Sequence, residues 1–190
     1  GLPGMIEAVR VMANSGARAV VATAPGYFHY DQEEVENIFL KFADASPLPV
    51  MIYDIPEFTN MQFTNDLVLK LAKHGNIMGL KDSSANLEHF ETLLEALRER
   101  TDFTLFQGKE MYITESLRRG ASGFIVSVIH IAPHTFVELY RAVRSGRVSE
   151  ADGIQSGIDR MMAVIFGSLR DRPESSTLFH LLNYALKDLG

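Results

Sequence analysis

The chain has 190 residues, of which 46% are hydrophobic and 22% are charged, an ordinary composition for a folded domain. Its formal net charge of −6 argues against a nucleic-acid or anionic-lipid partner, and no apolar run reaches the ~18 residues that cross a membrane. The chain contains no cysteine, which excludes disulfides, thiolate metal ligands and a cysteine nucleophile and fits a cytoplasmic protein.

Short apolar runs alternate with amphipathic segments along the chain. The apolar runs are rich in Val and Ile, as buried parallel strands are, and lie at 19–23, 49–53, 77–81, 103–107 and 124–128. Helical spacing of apolar residues occurs at 31–45, 64–74, 86–99, 110–119 and 133–144. After Gly146 only helical patterns remain, at 149–166 and 175–189. This alternation predicts a parallel α/β fold, and both a doubly wound sheet and a barrel satisfy it.

Lys81 stands at the carboxyl end of the run 77–81, where chemistry gathers in parallel α/β folds. A lysine held at the mouth of an apolar barrel loses hydration, and this loss favours the neutral amine that attacks carbonyl groups. A strand-end lysine can also simply reach solvent. Its position alone leaves both interpretations open.

Tyr53 closes the apolar run that precedes the run of Lys81. Adjacent parallel strands lie about 4.8 Å apart, so the phenol of Tyr53 can approach the Lys81 amine. Imine chemistry needs a proton donor and acceptor beside the reacting carbon, and a phenol near a cation can serve. The pair therefore favours a lysine-based active site, although a tyrosine at a strand end is also a common structural feature.

Five short motifs resemble, in the same order, motifs of the dihydrodipicolinate synthase / N-acetylneuraminate lyase family. In this chain they are Ala24-Pro25-Gly26-Tyr27, Tyr53-Asp54-Ile55-Pro56, Gly79-Leu80-Lys81-Asp82, Gln107-Gly108-Lys109-Glu110 and Gly120-Ala121-Ser122-Gly123. The first four resemble the family's Thr-Pro-x-[Tyr/Phe], Tyr-Asn-x-Pro, Gly-x-Lys-[Asp/Glu] and Gly-Asp-[Asp/Glu] segments. The fifth resembles the small-residue entry to the last strand of the family's barrel.

The resemblance implies a (β/α)₈ TIM barrel with C-terminal helices. It also implies a class I aldolase or lyase that uses a Schiff base and needs neither a metal nor a cofactor. Such an enzyme condenses pyruvate with an aldehyde or cleaves a 2-oxo acid. Family members are usually homotetramers built from dimers, so a homo-oligomer is expected.

The same resemblance assigns roles to individual residues. Lys81 is the imine-forming lysine, and Tyr53 is the proton relay that also meets the substrate carboxylate. Tyr27 matches a tyrosine that the synthase branch contributes across a subunit contact. Positions near the part of the pocket that selects the second substrate are matched by Gly108, Glu110 and Ser127.

Two residues depart from the family pattern. Asp54 stands where asparagine is usual, a change that affects either the turn or the environment of Tyr53. Phe58 stands where the synthase branch has an arginine that grips the carboxylate of its aldehyde substrate. The second departure favours an aldolase that acts on another 2-oxo acid, such as a sugar acid.

The family barrel has eight strands, whereas five are predicted here. The chain is therefore expected to match the region from the third barrel helix onward, with residues 2–15 as that helix. Residues 1–146 are expected to form a partial barrel of five βα units, and residues 147–190 a helical segment packed on it. The missing strands would supply the pyruvate carboxylate site, so either the native polypeptide is expected to be longer or segments are expected to be absent from this sequence. If the 190 residues were the whole protein, little or no activity would be expected.

Two other functions remain open. One is a metal-dependent aldolase that uses His130 or Asp82, although Pro133 between His130 and His134 speaks against a metal-binding histidine pair. The other is a barrel relative, non-catalytic or degenerate, that binds a 2-oxo acid. The remaining histidines are expected on the surface or satisfied in the core, and they are His29, His74, His89 and His180.

Overall fold

Strands and helices alternate along the computed structural model, which describes residues 1–167 together with Asn183 and Lys187. The strands are β1 (Val20–Thr23), β2 (Val50–Asp54), β3 (Ile77–Asp82), β4 (Thr104–Gln107) and β5 (Gly123–Phe124). The helices are α1 (Leu2–Asn14), α2 (Gln32–Ala45), α3 (Pro56–Thr59), α4 (Asn65–Leu71), α5 (Leu87–Ala96), α6 (Ile113–Arg118), α7 (Pro133–Arg144) and α8 (Val148–Gly167). Short 3₁₀ helices cover Glu110–Tyr112 and Ser127–His130.

The five strands form one parallel sheet in the order β1-β2-β3-β4-β5. A doubly wound sheet reverses its strand order at a switch point, whereas in a barrel each strand pairs with the next one along the chain. The unbroken order therefore selects the barrel arrangement from the two that the sequence pattern allows.

Local sequence signals explain where the helices begin. The Asp31 side chain accepts from the Glu34 backbone N–H at 2.8 Å, and the Glu34 carboxylate accepts from the Asp31 N–H at 2.9 Å. This reciprocal capping box starts α2 as its sequence predicts. Thr64 caps α4 and Asn86 caps α5 with one-way hydrogen bonds, each side chain accepting from a backbone N–H of the first turn.

The core lies between the sheet and the helices that follow its strands. Alternate residues of β2 and β3, including Ile52 and Leu80, are fully buried against α2, α4 and α5. A second apolar cluster joins α6, α7 and α8 through Ile113, Phe136 and Ile158. The side chains on the other face of the sheet are less covered, and this face carries the candidate site.

Several predicted boundaries are wrong. β5 covers only Gly123–Phe124, because the chain turns into a 3₁₀ helix at Ser127 instead of continuing as a strand over 124–128. Helix α3 was not predicted, and the predicted helix at 110–119 begins as a 3₁₀ turn before α6.

The predicted C-terminal helices are only partly covered by the structure. Helix α8 matches the predicted helix over 149–166. The predicted last helix, over 175–189, lies outside the described residues apart from Asn183 and Lys187, which are helical. The division of the chain at residue 146 stays a prediction. Among the described residues, no helix is both long and apolar enough to span a membrane.

Candidate active site

Tyr53 and Lys81 face each other across β2 and β3. The two residues are direct register partners in the parallel pair. The Lys81 Nζ lies over the Tyr53 ring, 3.9 Å from its centroid, and both side chains are half-buried. This cation–π contact holds the amine beside the phenol. The structure thus brings together the two residues that the sequence singles out.

The register places Tyr53 and Lys81 in a row of side chains that crosses the sheet. Thr23 of β1 pairs with Tyr53, and Phe106 of β4 pairs with Lys81. Register partners in a parallel sheet point to the same face, so we call these four residues the Lys81 row. Thr23 is an exposed hydroxyl that the sequence did not single out, although it closes the first apolar run as Tyr53 closes the second.

The next register position carries acidic side chains on the opposite face. Asp54 and Asp82 are partners directly after Tyr53 and Lys81, and they are 0% and 1% exposed. Their carboxyl groups therefore point away from the Lys81 row and toward the helix layer.

His89 of α5, itself buried, meets this acidic pair. Its Nε2 lies 3.9 Å from Asp54 Oδ2 and 3.8 Å from Asp82 Oδ2, which are too long for hydrogen bonds. Both Asp54 carboxyl oxygens, Asp82 Oδ2 and His89 Nε2 have no hydrogen-bond partner among the described residues. The expectation that His89 is a surface or satisfied core histidine is therefore wrong, because it is buried with Nε2 unpartnered.

Burial governs the ionisation of this cluster. Burial, and then the neighbouring Asp82 carboxylate, raise the pKa of Asp54 to about 8, while the backbone N–H of Phe63 faces the carboxyl and opposes the rise. Burial also raises the pKa of Asp82, but hydrogen bonds from Ser84 favour its anion. Burial lowers the pKa of His89, against the pull of Asp82. These directions predict a neutral imidazole at neutral pH.

The turn after β4 holds two of the predicted substrate-binding positions, Gly108 and Glu110, and a third, Ser127, follows β5. The Gly108 N–H donates to the Asp82 carbonyl at 2.6 Å, so the turn lies against the end of β3. A Cβ at Gly108 would lie 2.6 Å from that same carbonyl oxygen, which explains the glycine. The Ser127 hydroxyl lies 3.4 Å from Glu110 Oε1, so these two predicted residues are also brought together.

Tyr27 stands apart from this arrangement. It is 91% exposed, and its ring lies edge-on to Phe28 with centroids 4.8 Å apart. The loop that carries it touches α3, since a Cβ at Gly26 would lie 2.7 Å from the Phe58 carbonyl oxygen. Phe58 is itself 53% exposed.

No group of three or more His, Asp and Glu side chains in the described part of the chain is arranged to hold a metal ion. His130 lies at the end of a 3₁₀ helix and is exposed.

Comparison with known proteins gives the chain a family context. The model of the dihydrodipicolinate synthetase family matches residues 4–190. The 4-hydroxy-tetrahydrodipicolinate synthase of Gluconacetobacter diazotrophicus is 36% identical over 149 residues, which cover 78% of this chain and 49% of that protein. The probable 2-dehydro-3-deoxy-D-pentonate aldolase of Escherichia coli K12 is 27% identical over 169 residues, which cover 86% of this chain and 56% of that protein. The chain thus spans about half the length of these curated relatives.

A solved structure shows the same fold. It is a prophage protein from Escherichia coli K12 that belongs to the dihydrodipicolinic acid synthase family, in complex with pyruvate. It superposes with a TM-score of 0.87 at 25% sequence identity, covering 97% of this chain and 60% of that one. The parallel sheet and its helices are therefore part of a TIM-barrel fold, as the family resemblance implies.

Proposed function

Because the chain belongs to the dihydrodipicolinate synthetase family, we propose that Lys81 forms a Schiff base with pyruvate. The protein then makes or breaks a carbon–carbon bond through the resulting enamine. The observation that carries this proposal is the contact between the Lys81 amine and the Tyr53 ring at the carboxyl ends of two neighbouring strands.

The chemistry needs one amine and one proton relay. Lys81 Nζ adds to the ketone carbon of pyruvate, the carbon–oxygen bond breaks, and water leaves to give a cationic imine. The imine accepts the electron pair when a methyl proton departs, and the enamine carbon then attacks the aldehyde carbon. The Tyr53 phenol, held beside the amine, donates and accepts the protons of these steps. The reverse sequence cleaves a 2-oxo acid.

The turn after β4, together with Ser127 after β5, selects the second substrate. Gly108 keeps the turn close to β3, and Glu110 and Ser127 present a carboxylate and a hydroxyl near one another. A polyhydroxylated aldehyde offers hydroxyl groups that such a pair can hydrogen-bond. These three assignments rest on the family resemblance together with this proximity.

One observation favours a sugar-acid aldolase over a synthase. Phe58 presents an exposed apolar ring where the synthase branch has an arginine for a substrate carboxylate. The relative from Escherichia coli is called a probable aldolase of a deoxy sugar acid. We therefore infer that the acceptor is an aldehyde without a carboxylate at that position.

Borohydride trapping tests the proposal. Reduction of the protein in the presence of pyruvate should leave a covalent adduct on the peptide that contains Lys81, detected by mass spectrometry. Lys81→Arg should abolish the adduct, whereas Lys73→Arg, at an exposed lysine, should leave it unchanged. An unmodified Lys81 in the wild-type protein would end the proposal. An adduct that forms on Lys109 instead of Lys81 would also refute the proposal.

The wider assembly stays a prediction. The exposed Tyr27 and Phe28 rings are consistent with a contact between copies of the chain, as the resemblance implies. A homo-oligomer is therefore proposed, with a cytoplasmic location.

A further inference from the structure

The acidic pair behind the Lys81 row lies where two negative charges are costly. Asp54 and Asp82 are register partners in a fully buried space, and burial favours the neutral form of His89 beside them. Two carboxylates that share such a space tend to hold one proton between them, because like charges at short range are costly to desolvate together. This arrangement favours a carboxylic acid at one of the two residues.

The contacts of the two carboxyl groups decide which one keeps the proton. Asp82 Oδ1 accepts a hydrogen bond from the Ser84 backbone N–H at 2.6 Å, and the Lys109 cation favours its ionised form. Asp54 is faced by the Phe63 backbone N–H and by His89 Nε2 at 3.9 Å, and neither forms a hydrogen bond with its carboxyl oxygens. The anion is therefore better solvated at Asp82 than at Asp54.

From this geometry we propose that neutral Asp54 shares its proton with the Asp82 carboxylate beneath His89, and that this proton bridge positions Tyr53 and Lys81 for imine chemistry. The acid is a positioning residue, because it lies on the helix side of the sheet and acts through the neighbouring backbone. Its role rests on the proposed function of Lys81.

The backbone explains how the bridge reaches the Lys81 row. Asp54 and Asp82 directly follow Tyr53 and Lys81, and the Ser83 N–H donates to the Asp54 carbonyl at 2.8 Å to close the ladder at this level. Ionisation of Asp54 would place two like charges on paired residues. Their repulsion would separate the strand ends and move the phenol away from the amine.

The bridge also explains why an aspartate is found here. The family pattern that the chain resembles has asparagine at position 54, whose amide carries both a donor and an acceptor. A neutral carboxylic acid likewise has one O–H donor and one acceptor oxygen, whereas a carboxylate can only accept. Protonated Asp54 therefore reproduces the hydrogen bonding of asparagine at neutral pH and loses it in alkali.

Carbon-13 NMR of aspartate carboxyl groups tests the proton directly in the wild-type protein. One carboxyl signal should titrate with a midpoint near the Asp54 pKa of about 8, and that signal should be absent from Asp54→Asn. If every aspartate titrates in the ordinary acidic range, Asp54 is ionised at neutral pH and the bridge does not exist.

The pH dependence of imine formation tests the positioning role. The rate of borohydride-trapped adduct formation is measured for wild type, Asp54→Asn and the exposed control Asp66→Asn. The ratio of the Asp54→Asn rate to the wild-type rate should grow about tenfold per pH unit above the Asp54 transition, since only the wild type loses its donor. Taking the ratio cancels any pH effect that the variant and the wild type share. The Asp66→Asn ratio should stay flat.

The outcomes separate the two proposals. If a carboxyl titrates near pH 8 but the protein forms no adduct with pyruvate, the proton bridge is supported and the proposed function of Lys81 is refuted. If the adduct forms but the ratio of the Asp54→Asn rate to the wild-type rate does not change with pH, the function of Lys81 is supported and the positioning role of Asp54 is refuted. If Asp54→Asn does not fold, the wild-type titration still decides whether the bridge exists. In that case Asp82→Asn should move the titration to lower pH, and an unchanged midpoint would show that the two carboxyls do not interact.

Discussion

Asp54 and Asp82 are register partners one residue beyond Tyr53 and Lys81, on the opposite face of the same two strands. The alternation of side chains along a strand thus separates a half-buried amine and phenol from a fully buried acidic pair by a single backbone step. The amine and phenol on one face are therefore linked, through the backbone of β2 and β3, to the buried acidic pair on the other face.

Tyr53→Phe should slow imine formation with pyruvate while leaving the fold intact. The ring that contacts the Lys81 amine is kept, but the hydroxyl that relays protons is lost. The rate should fall by about 10² to 10⁴-fold, the usual contribution of a positioned acid or base. Rapid-quench borohydride trapping measures it, and Tyr140→Phe, on α7, is the matched control. If the Tyr53→Phe rate stays within a few-fold of the wild-type rate, on the order of the effect of a surface substitution, Tyr53 is not the proton relay.

Stability should fall as the pH rises from about 4 to 8 because of Asp54. Its pKa is raised from 3.8 to about 8 in the folded protein, so the folded state keeps a proton that the unfolded chain releases in this range. The stabilisation is therefore complete below the unfolded value and is lost as pH passes through the folded one. The slope is at most about 1.4 kcal/mol per pH unit.

Urea unfolding at a series of pH values measures this slope for wild type and Asp54→Asn. The variant should show a flatter profile than wild type between about pH 4 and 8. Superimposable profiles would mean that Asp54 does not hold a proton in the folded state.

Gly108→Ala should destabilise the protein and disturb the site. The new methyl group would collide with the Ser83 hydroxyl and the Asp82 carbonyl oxygen. Overpacking against backbone costs about 1–3 kcal/mol, measurable as a lower denaturation midpoint. Gly153→Ala is the opposite control, because its site in α8 is open and alanine favours helices by up to about 1 kcal/mol. Equal effects of the two substitutions would contradict the close approach at Gly108.

Phe58→Arg should change which aldehyde the protein prefers. The residue is exposed near the loop of Gly26, so a guanidinium there is free to meet a carboxylate. A hydrogen bond to a charged group contributes about 1.5–3 kcal/mol, which corresponds to a gain of about tenfold or more for a carboxylate-bearing aldehyde. Competition assays between acceptors with and without a carboxylate measure the ratio, with Phe58→Leu as control. An unchanged ratio would show that Phe58 does not determine which acceptor the protein prefers.

Much of the fold was predictable because its signals are local. The apolar runs gave β1 to β4 within one or two residues, and capping residues such as Asp31 and Thr64 marked helix starts. The pairing of Tyr53 with Lys81 followed from the positions of two strand ends, since neighbouring parallel strands present those ends together.

The rest depended on tertiary structure. β5 ends early because the chain after Phe124 turns into a 3₁₀ helix, although its apolar run reads like the others. His89 lies in phase with the apolar face of α5, and nothing local shows that this face meets two aspartates. The aspartates themselves follow the strand ends and look like ordinary turn residues until the register fixes the face to which they point.

The residues proposed for imine chemistry and for the proton bridge all lie in one uninterrupted stretch, from Tyr53 to His89, that spans β2, β3 and the first turn of α5. Gly108, Glu110 and Ser127 follow later, after β4, whereas Phe58 lies inside this stretch, in α3. A chimera that exchanges residues beyond β4 with those of a relative should therefore change the acceptor contacts made by Gly108, Glu110 and Ser127 while keeping its own lysine, phenol, buried acid and Phe58 together.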